Sequence, residues 1–185
     1  MKQSYKQAVK LVIQRLKAGD AVVVQGKTWL SRQIAQLTYD GTGMWSHVGV
    51  VIGFHPDLAI IEATREGVVT TPFSEYFKTE KAFLIARPKG FIDEHFLFKV
   101  ASTYIGRPYA FAQLGLDFWA AIGAKIFGKG IYGKLDRDPK GVTCAELAGK
   151  IYEDYGIEVL SSASAYLAPN DFVDSLQFDT IEVYR

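Results

Sequence analysis

Cysteine and histidine are scarce in this sequence, and their scarcity limits the chemistry that the chain can carry. Its 185 residues include one cysteine and three histidines. A single cysteine cannot form an intramolecular disulfide, so the chain is not a small secreted scaffold held together by such bonds. The histidines do not form a His-Glu-x-x-His pattern, and the glycines of 123–133 lack the Lys-Ser/Thr ending of a phosphate-binding loop. We therefore expect neither a metal nor a cofactor.

Excess charge and long apolar runs are also missing. The 21 basic and 20 acidic side chains give a net charge of +1, which argues against nucleic acid as a partner. No apolar run approaches the length of a membrane span, and the first twenty residues lack the apolar core and cleavage site of a signal peptide. The sequence therefore predicts a cytoplasmic protein. With 49% hydrophobic residues, it also predicts one globular domain over residues 1–185.

Hydrophobic periodicity predicts an α+β fold with a mostly antiparallel sheet. Apolar residues recur at helical spacing in several segments, and short β-branched runs separated by turn residues predict strands. Two of these strands, 47–52 and 58–63, are expected to form a hairpin. The predicted helices are 5–16, 29–37, 94–104 and 144–155. The predicted strands are 21–25, 47–52, 58–63, 67–71, 82–87 and an edge strand at 178–184.

The cysteine lies at the predicted start of a helix. Thr143, followed three residues later by Glu146, forms a capping-box pattern that makes Cys144 the first helical residue. Unpaired N–H groups and the positive end of the helix dipole favour a thiolate there, and these N–H groups can supply part of an oxyanion hole. Cys144 is thus a candidate nucleophile. The alternative is a small, buried structural residue, as many free cysteines are.

A cysteine nucleophile needs a base, and His47 is the best placed of the three histidines. His95 begins a polar helical segment and His55 belongs to a His-Pro-Asp turn, so both are predicted to be exposed. His47 instead opens an apolar strand, where its imidazole can project from the end of the sheet towards a helix N-terminus. The alternative for His47 is a core histidine bonded to a carbonyl group.

A carboxylate in an apolar strand is a candidate for orienting that base. If 53–58 form the hairpin turn, Gly49 pairs with Glu62. His47 and Glu62 then become diagonal neighbours on one face of the sheet, with their backbones about 7 Å apart. A charge in such a strand usually has a partner. The alternative is that this face meets solvent and Glu62 is exposed. The other candidate acids are Asp57 and Glu66.

The order of these motifs resembles a known family. The matching segments are Gly19-Asp20, Ser46-His47-Val48-Gly49-Val50-Val51, Ile61-Glu62-Ala63, Ile105-Gly106-Arg107-Pro108-Tyr109 and Thr143-Cys144-Ala145-Glu146-Leu147. With the histidine before the cysteine, the chain resembles the circularly permuted branch of the NlpC-type papain-like superfamily, in particular the YiiX-like proteins. Thr143 departs from several relatives, which have an aromatic or small residue before the cysteine.

This resemblance implies a papain-like antiparallel sheet of about six strands, with the cysteine helix packed on it. It also implies a catalytic triad of Cys144, His47 and Glu62. Tyr109 matches a tyrosine close to the cysteine of such relatives, although a structural aromatic after Pro108 is equally consistent. Asp20 is interpreted as a turn or cap residue. The accessory or substrate-binding candidates are Tyr109, Ser46 and Thr143.

The predicted activity is hydrolysis or acyl transfer at an amide or ester bond through a cysteine thioester. The resemblance implies a lipid or cell-wall-peptide substrate. An apolar stripe in 110–127 is a candidate for an acyl-chain groove or a membrane-surface contact, with basic residues nearby; its alternatives are core packing and a dimer contact. The basic residues are Lys125, Lys129 and Lys134. Two other classes remain: a non-catalytic lipid- or ligand-binding domain with this fold, and a structural protein with an inert cysteine.

Overall fold

Six strands form one antiparallel sheet in the computed structural model of the protein, which describes residues 11–12, 14–25, 45–53, 58–73, 82–110, 141–159 and 167–184. The strand order is β4-β3-β2-β1-β5-β6, and every neighbouring pair is antiparallel. The predicted fold class is confirmed, including the edge strand at the end of the chain. The strands are β1 (Ala21–Val24), β2 (His47–Ile52), β3 (Ala59–Thr64), β4 (Gly67–Pro72), β5 (Phe83–Pro88) and β6 (Phe178–Tyr184).

Three helices are described in full: α1 (Glu94–Ser102), α2 (Cys144–Tyr155) and α3 (Asp171–Asp174). Helix α2 has the predicted bounds and ends at Gly156, whose φ of 95° is the left-handed conformation that glycine tolerates. Residues 11–12 and 14–15 are helical, which is the described part of the predicted helix 5–16. The predicted helix 29–37 lies outside the described residues. No helix in the described part of the chain is long and apolar enough to cross a membrane.

Both faces of the central strands are buried. On one face, alternate strand residues such as Val48 and Val50 pack in a core with Leu147 and Ile151 of α2. On the other face, a second core includes residues of β1, β2, β3 and β5 together with Val12. Because neither face meets water, the central strands are apolar at consecutive positions instead of alternating. This is why β1 reads Ala-Val-Val-Val.

A part-buried ion pair connects the start of the sheet to β5. Asp20 is 1% exposed, and its Oδ1 and Oδ2 accept hydrogen bonds from Nε and Nη2 of Arg87 at 2.7 and 2.8 Å. Asp20 also accepts a hydrogen bond from the Lys17 N–H at 2.9 Å, so the predicted turn role is present. The Arg87 Nη2 donates in addition to the carbonyl of Arg15. This pair therefore joins the N-terminal segment, β1 and β5.

We expect Arg87→Ala to destabilise the protein by about 3 kcal/mol, because it leaves the buried Asp20 carboxylate without its cation. This is the lower end of the range for buried pairs, since the Arg87 side chain is 28% exposed. Equilibrium urea unfolding measures the change. Arg65→Ala is the control, because Arg65 and Glu66 are paired on the surface and should contribute little. Equal losses in both variants would contradict the structural role of the Asp20–Arg87 pair.

Candidate active site

The N-terminal cap of α2 places the cysteine at the first helical position. The Thr143 hydroxyl accepts a hydrogen bond from the Glu146 N–H at 3.2 Å, and the Glu146 carboxylate accepts one from the Thr143 N–H at 3.5 Å. Both halves of the predicted capping box are thus present. Cys144 follows the cap and is 7% exposed. Its sulfur therefore lies where the helix dipole and unpaired N–H groups stabilise negative charge.

Backbone bonds to the Pro108–Ala110 segment hold the chain that leads into this helix. The Val142 N–H donates to the Pro108 carbonyl at 3.1 Å, and the Ala110 N–H donates to the Val142 carbonyl at 3.2 Å. Tyr109 and Val142 consequently form a parallel bridge. The Tyr109 side chain is partly buried against the core that includes Cys144. Tyr109 therefore lies beside the segment of chain that leads to Cys144.

The same segment is bonded to β4. The Val68 N–H donates to the Arg107 carbonyl at 2.8 Å, and the Gly106 N–H donates to the Val68 carbonyl at 2.9 Å. Gly67 allows this approach, because its φ is +103° and an added Cβ would lie 2.6 Å from the Arg107 oxygen. Residues 106–110 thus connect the β3–β4 hairpin to the start of α2.

The β2–β3 hairpin brings His47 and Glu62 together. Its register pairs Val50 with Ile61, and one further step in this register would give the predicted pairing of Gly49 with Glu62. The Nε2 atom of His47 lies 2.7 Å from Oε2 of Glu62. Glu62 is only 6% exposed, so the alternative of a solvent-facing carboxylate is wrong. The predicted diagonal contact is therefore present.

Gly49 makes room for this contact. A Cβ at this position would lie 2.4 Å from Cγ2 of Ile60 and 3.3 Å from Cβ of Glu62. Any larger side chain would push β3 away from β2. The absence of a side chain at Gly49 thus lets the carboxylate reach the imidazole of His47.

The His47 imidazole interacts with both the Cys144 sulfur and the Glu62 carboxylate. Burial lowers the pKa of His47, but the charge of the Cys144 thiolate, hydrogen bonds to Cys144 and Glu62, and the Glu62 charge together raise it to about 10. Since Nε2 faces Glu62, Nδ1 is the ring atom left for the thiol. This arrangement favours the protonated imidazole.

The same interactions act on the cysteine in the opposite direction. Burial raises the pKa of Cys144, but the positive charge of His47, its hydrogen bond, and the backbone N–H groups of Val48 and Ala145 together lower it. A thiolate–imidazolium pair is the form that these charges stabilise. A lowered pKa is the property that a cysteine nucleophile requires.

Thr71 is a site residue that the sequence reasoning missed. Its hydroxyl donates to Oε1 of Glu62 at 2.5 Å, so the two carboxylate oxygens have different partners. Thr71 lies in β4, whose pairing with β3 sets Ile60 opposite it. The strand pattern at 67–71 was the available signal, because its register with β3 would have placed a threonine near Glu62.

The remaining sequence candidates lie elsewhere or have other contacts. Glu66 is exposed and binds Arg65 at 2.7 Å. His95 is exposed at the start of α1, as predicted. The N–H and hydroxyl of buried Ser46 both donate to the Val24 carbonyl, at 3.0 and 3.4 Å, which supports strand pairing. Three sets of candidates lie outside the described residues: His55 and Asp57, residues 111–127, and Lys125, Lys129 and Lys134.

Comparison with known proteins gives this arrangement a family. The chain belongs to the permuted papain-like amidase enzymes of the YaeF/YiiX, C92 family, whose model matches residues 15–115. The crystal structure of metalloprotein yiiX from Escherichia coli O157:H7 has a similar fold, with a TM-score of 0.63 and 19% sequence identity. The match covers 90% of this chain and 96% of that chain. Comparison with curated protein sequences gave no match.

We expect Thr143→Ala to cost about 1 kcal/mol of stability, because it removes the hydroxyl that caps α2. Thr143→Ser keeps this hydroxyl and should recover most of the loss. Urea unfolding of the three proteins measures the effect. A serine variant as unstable as the alanine variant would show that the threonine methyl group, and not the cap, is responsible.

Proposed function

We propose that the protein is a thiol hydrolase or acyltransferase that acts on amide or ester bonds, with Cys144 as nucleophile, His47 as general base and acid, and Glu62 as the group that orients His47. The observation that carries this proposal is the position of the His47 ring, bonded through Nε2 to a buried carboxylate and paired with a cysteine at a helix N-terminus. Nucleophile, base and orienting group are the three parts that cysteine catalysis requires.

The reaction follows from these positions. The Cys144 thiolate attacks the substrate carbonyl carbon, and the oxygen takes the negative charge near the N–H groups of the first turn of α2. The His47 imidazolium donates its proton to the leaving amine or alcohol, whose bond to the acyl carbon breaks and leaves a thioester. His47 then takes a proton from water or another acceptor, which displaces the cysteine and restores the thiolate.

An amide is the bond class that the family suggests, and an ester can react by the same steps. A lipid or a cell-wall peptide is the proposed source of the acyl group. Of the apolar segment 110–127, only Ala110 is among the described residues. The roles of this segment as an acyl-chain groove or a membrane-surface contact therefore stay predictions. The membrane-surface contact can be tested by flotation with anionic liposomes, and no binding at low salt would exclude it.

The described residues of this chain do not fit a metal centre. The Escherichia coli relative is described as a metalloprotein. Within the described part of this chain, His, Cys, Asp and Glu do not come together in a group of three or more that would form a metal site. Glu62 is instead bonded to His47 and Thr71, and His47 is paired with Cys144. The proposed reaction uses Cys144, His47 and Glu62.

We expect iodoacetamide to alkylate the wild type well below pH 7, because the pKa of Cys144 is lowered by its pairing with His47. Since the chain has one cysteine, the rate reports this thiol alone. His47→Ala should lose the acidic limb of the profile, which is the alkylation below pH 7. Its thiol should react only near pH 8.5, as an unperturbed thiol does. His95→Ala is the matched control, because this exposed histidine should leave the profile unchanged. Identical profiles in wild type and His47→Ala would refute the ion pair.

Acylation distinguishes an enzyme from a binding domain that retains the fold. With p-nitrophenyl acetate, we expect a burst of about one p-nitrophenolate per protein and an acetyl mass increase on Cys144. Cys144→Ser should show neither, because a serine hydroxyl has no comparable anionic form at neutral pH. Stopped-flow absorbance and mass spectrometry measure the two. A reactive thiol that is never acetylated would favour the non-catalytic lipid- or ligand-binding alternative.

The turnover of an amide substrate should fall above about pH 10, while alkylation continues. Above the pKa of about 10, His47 loses the proton that the leaving amine requires, yet the thiolate persists. Turnover of any amide found to be cleaved, measured from pH 6 to 11, tests this expectation. A decline that alkylation follows in parallel would instead indicate unfolding.

A further inference from the structure

Each oxygen of the Glu62 carboxylate has a different hydrogen-bond partner. Oε2 lies 2.7 Å from His47 Nε2, and Oε1 accepts from the Thr71 hydroxyl at 2.5 Å. Glu62 is 6% exposed, so water does not readily replace a lost donor. A buried charged group that loses a hydrogen bond loses more stabilisation than an exposed one. The Thr71 hydroxyl is therefore energetically important to the ionised form of Glu62.

The sheet register explains why Thr71 reaches this oxygen. In the β3–β4 pairing, Ile60 lies opposite Thr71 and Glu62 lies opposite Val69. Glu62 and Thr71 are thus diagonal neighbours on one face, at a distance that side chains can span. A β-branched threonine has few χ1 rotamers, so its hydroxyl is held in place by the strand. The terminal torsion of a glutamate is broad and needs such a fixed contact to orient it.

We propose that Thr71 is a positioning residue for the reaction, whose hydroxyl holds the Glu62 carboxylate so that its second oxygen faces His47. This inference rests on the proposed function, because Thr71 acts through its hydrogen bond to Glu62. Without the hydroxyl, the carboxylate can rotate and is protonated more easily. The imidazolium then loses its partner, and the thiolate survives only at higher pH.

Thr71→Val tests the proposal, because valine keeps the shape and the strand preference of threonine but has no hydroxyl. We expect the acidic limb of the iodoacetamide profile to move up by about one pH unit, in keeping with the loss of one hydrogen bond to a charged group. Thr71→Ser should restore the wild-type profile. Thermal unfolding of each variant, at the same pH, checks that the fold is retained.

Thr70→Val is the matched control. Thr70 is the same residue type in the same strand, but it is exposed and pairs with Ile61, so its side chain lies on the other face. Its profile should match the wild type. An equal shift in Thr70→Val and Thr71→Val would mean that any change in β4 disturbs the site, and would overturn the specific role of Thr71.

A double-mutant cycle with Glu62→Gln identifies the route of the effect. Because Thr71 acts through the Glu62 charge, Thr71→Val should add no further shift in the Glu62→Gln background. Additive shifts would overturn the proposal. An unchanged alkylation profile in Thr71→Val would also overturn the role of Thr71. The proposed function would still stand in that case if His47→Ala lost its acidic limb. An unchanged profile in His47→Ala would overturn both.

Discussion

The hydrogen bond between His47 and Glu62 is the interaction on which the candidate site depends. A carboxylate buried at 6% exposure is stable as an anion only with partners, and the strand geometry supplies an imidazole at 2.7 Å and a hydroxyl at 2.5 Å. The charge of Glu62 in turn supports the protonated form of His47, and the imidazolium lowers the pKa of Cys144. The pKa of His47 and the pKa of Cys144 thus depend on each other, and that of His47 depends also on Glu62.

The site is assembled from two parts of the fold that meet at the end of the sheet. The β2–β3–β4 strands carry His47, Glu62 and the Thr71 hydroxyl, while the cap of α2 carries Cys144. Residues 106–110 connect these parts through backbone bonds to Val68 and Val142. Because catalysis depends on spatial arrangement and not on chain order, a histidine that precedes the cysteine can still serve it. A permuted sequence is therefore compatible with papain-like chemistry.

Burial on both faces of the central strands gives this site a rigid base. Apolar residues of β1 and β2 pack into one core with α2 and into a second core with Val12 and Leu16. The Asp20–Arg87 pair secures the same region from the other end of β1. Side chains held by close packing on both sides have little freedom to move, so His47 is presented from a fixed strand. Such support is what a preorganised active site requires.

Local rules in the sequence determined most of the elements, the place of Cys144 at a helix start and the relation of His47 to Glu62. A four-residue cap pattern was enough to place Cys144 at the start of α2, and the length of the hairpin turn was enough to set His47 diagonal to Glu62. These features involve residues close in the chain, where spacing translates directly into geometry. The β-branched runs likewise predicted strands without any knowledge of their order.

Only the tertiary structure decided the contacts between elements distant in the chain. The Thr71 hydroxyl on Glu62, the Arg87 guanidinium on Asp20 and the bridge between Tyr109 and Val142 each join different elements. Whether Cys144 meets His47 at all belongs to the same class, because it depends on how α2 packs across the sheet. Such packing is set by the sum of many weak contacts across the cores, which residue spacing does not encode.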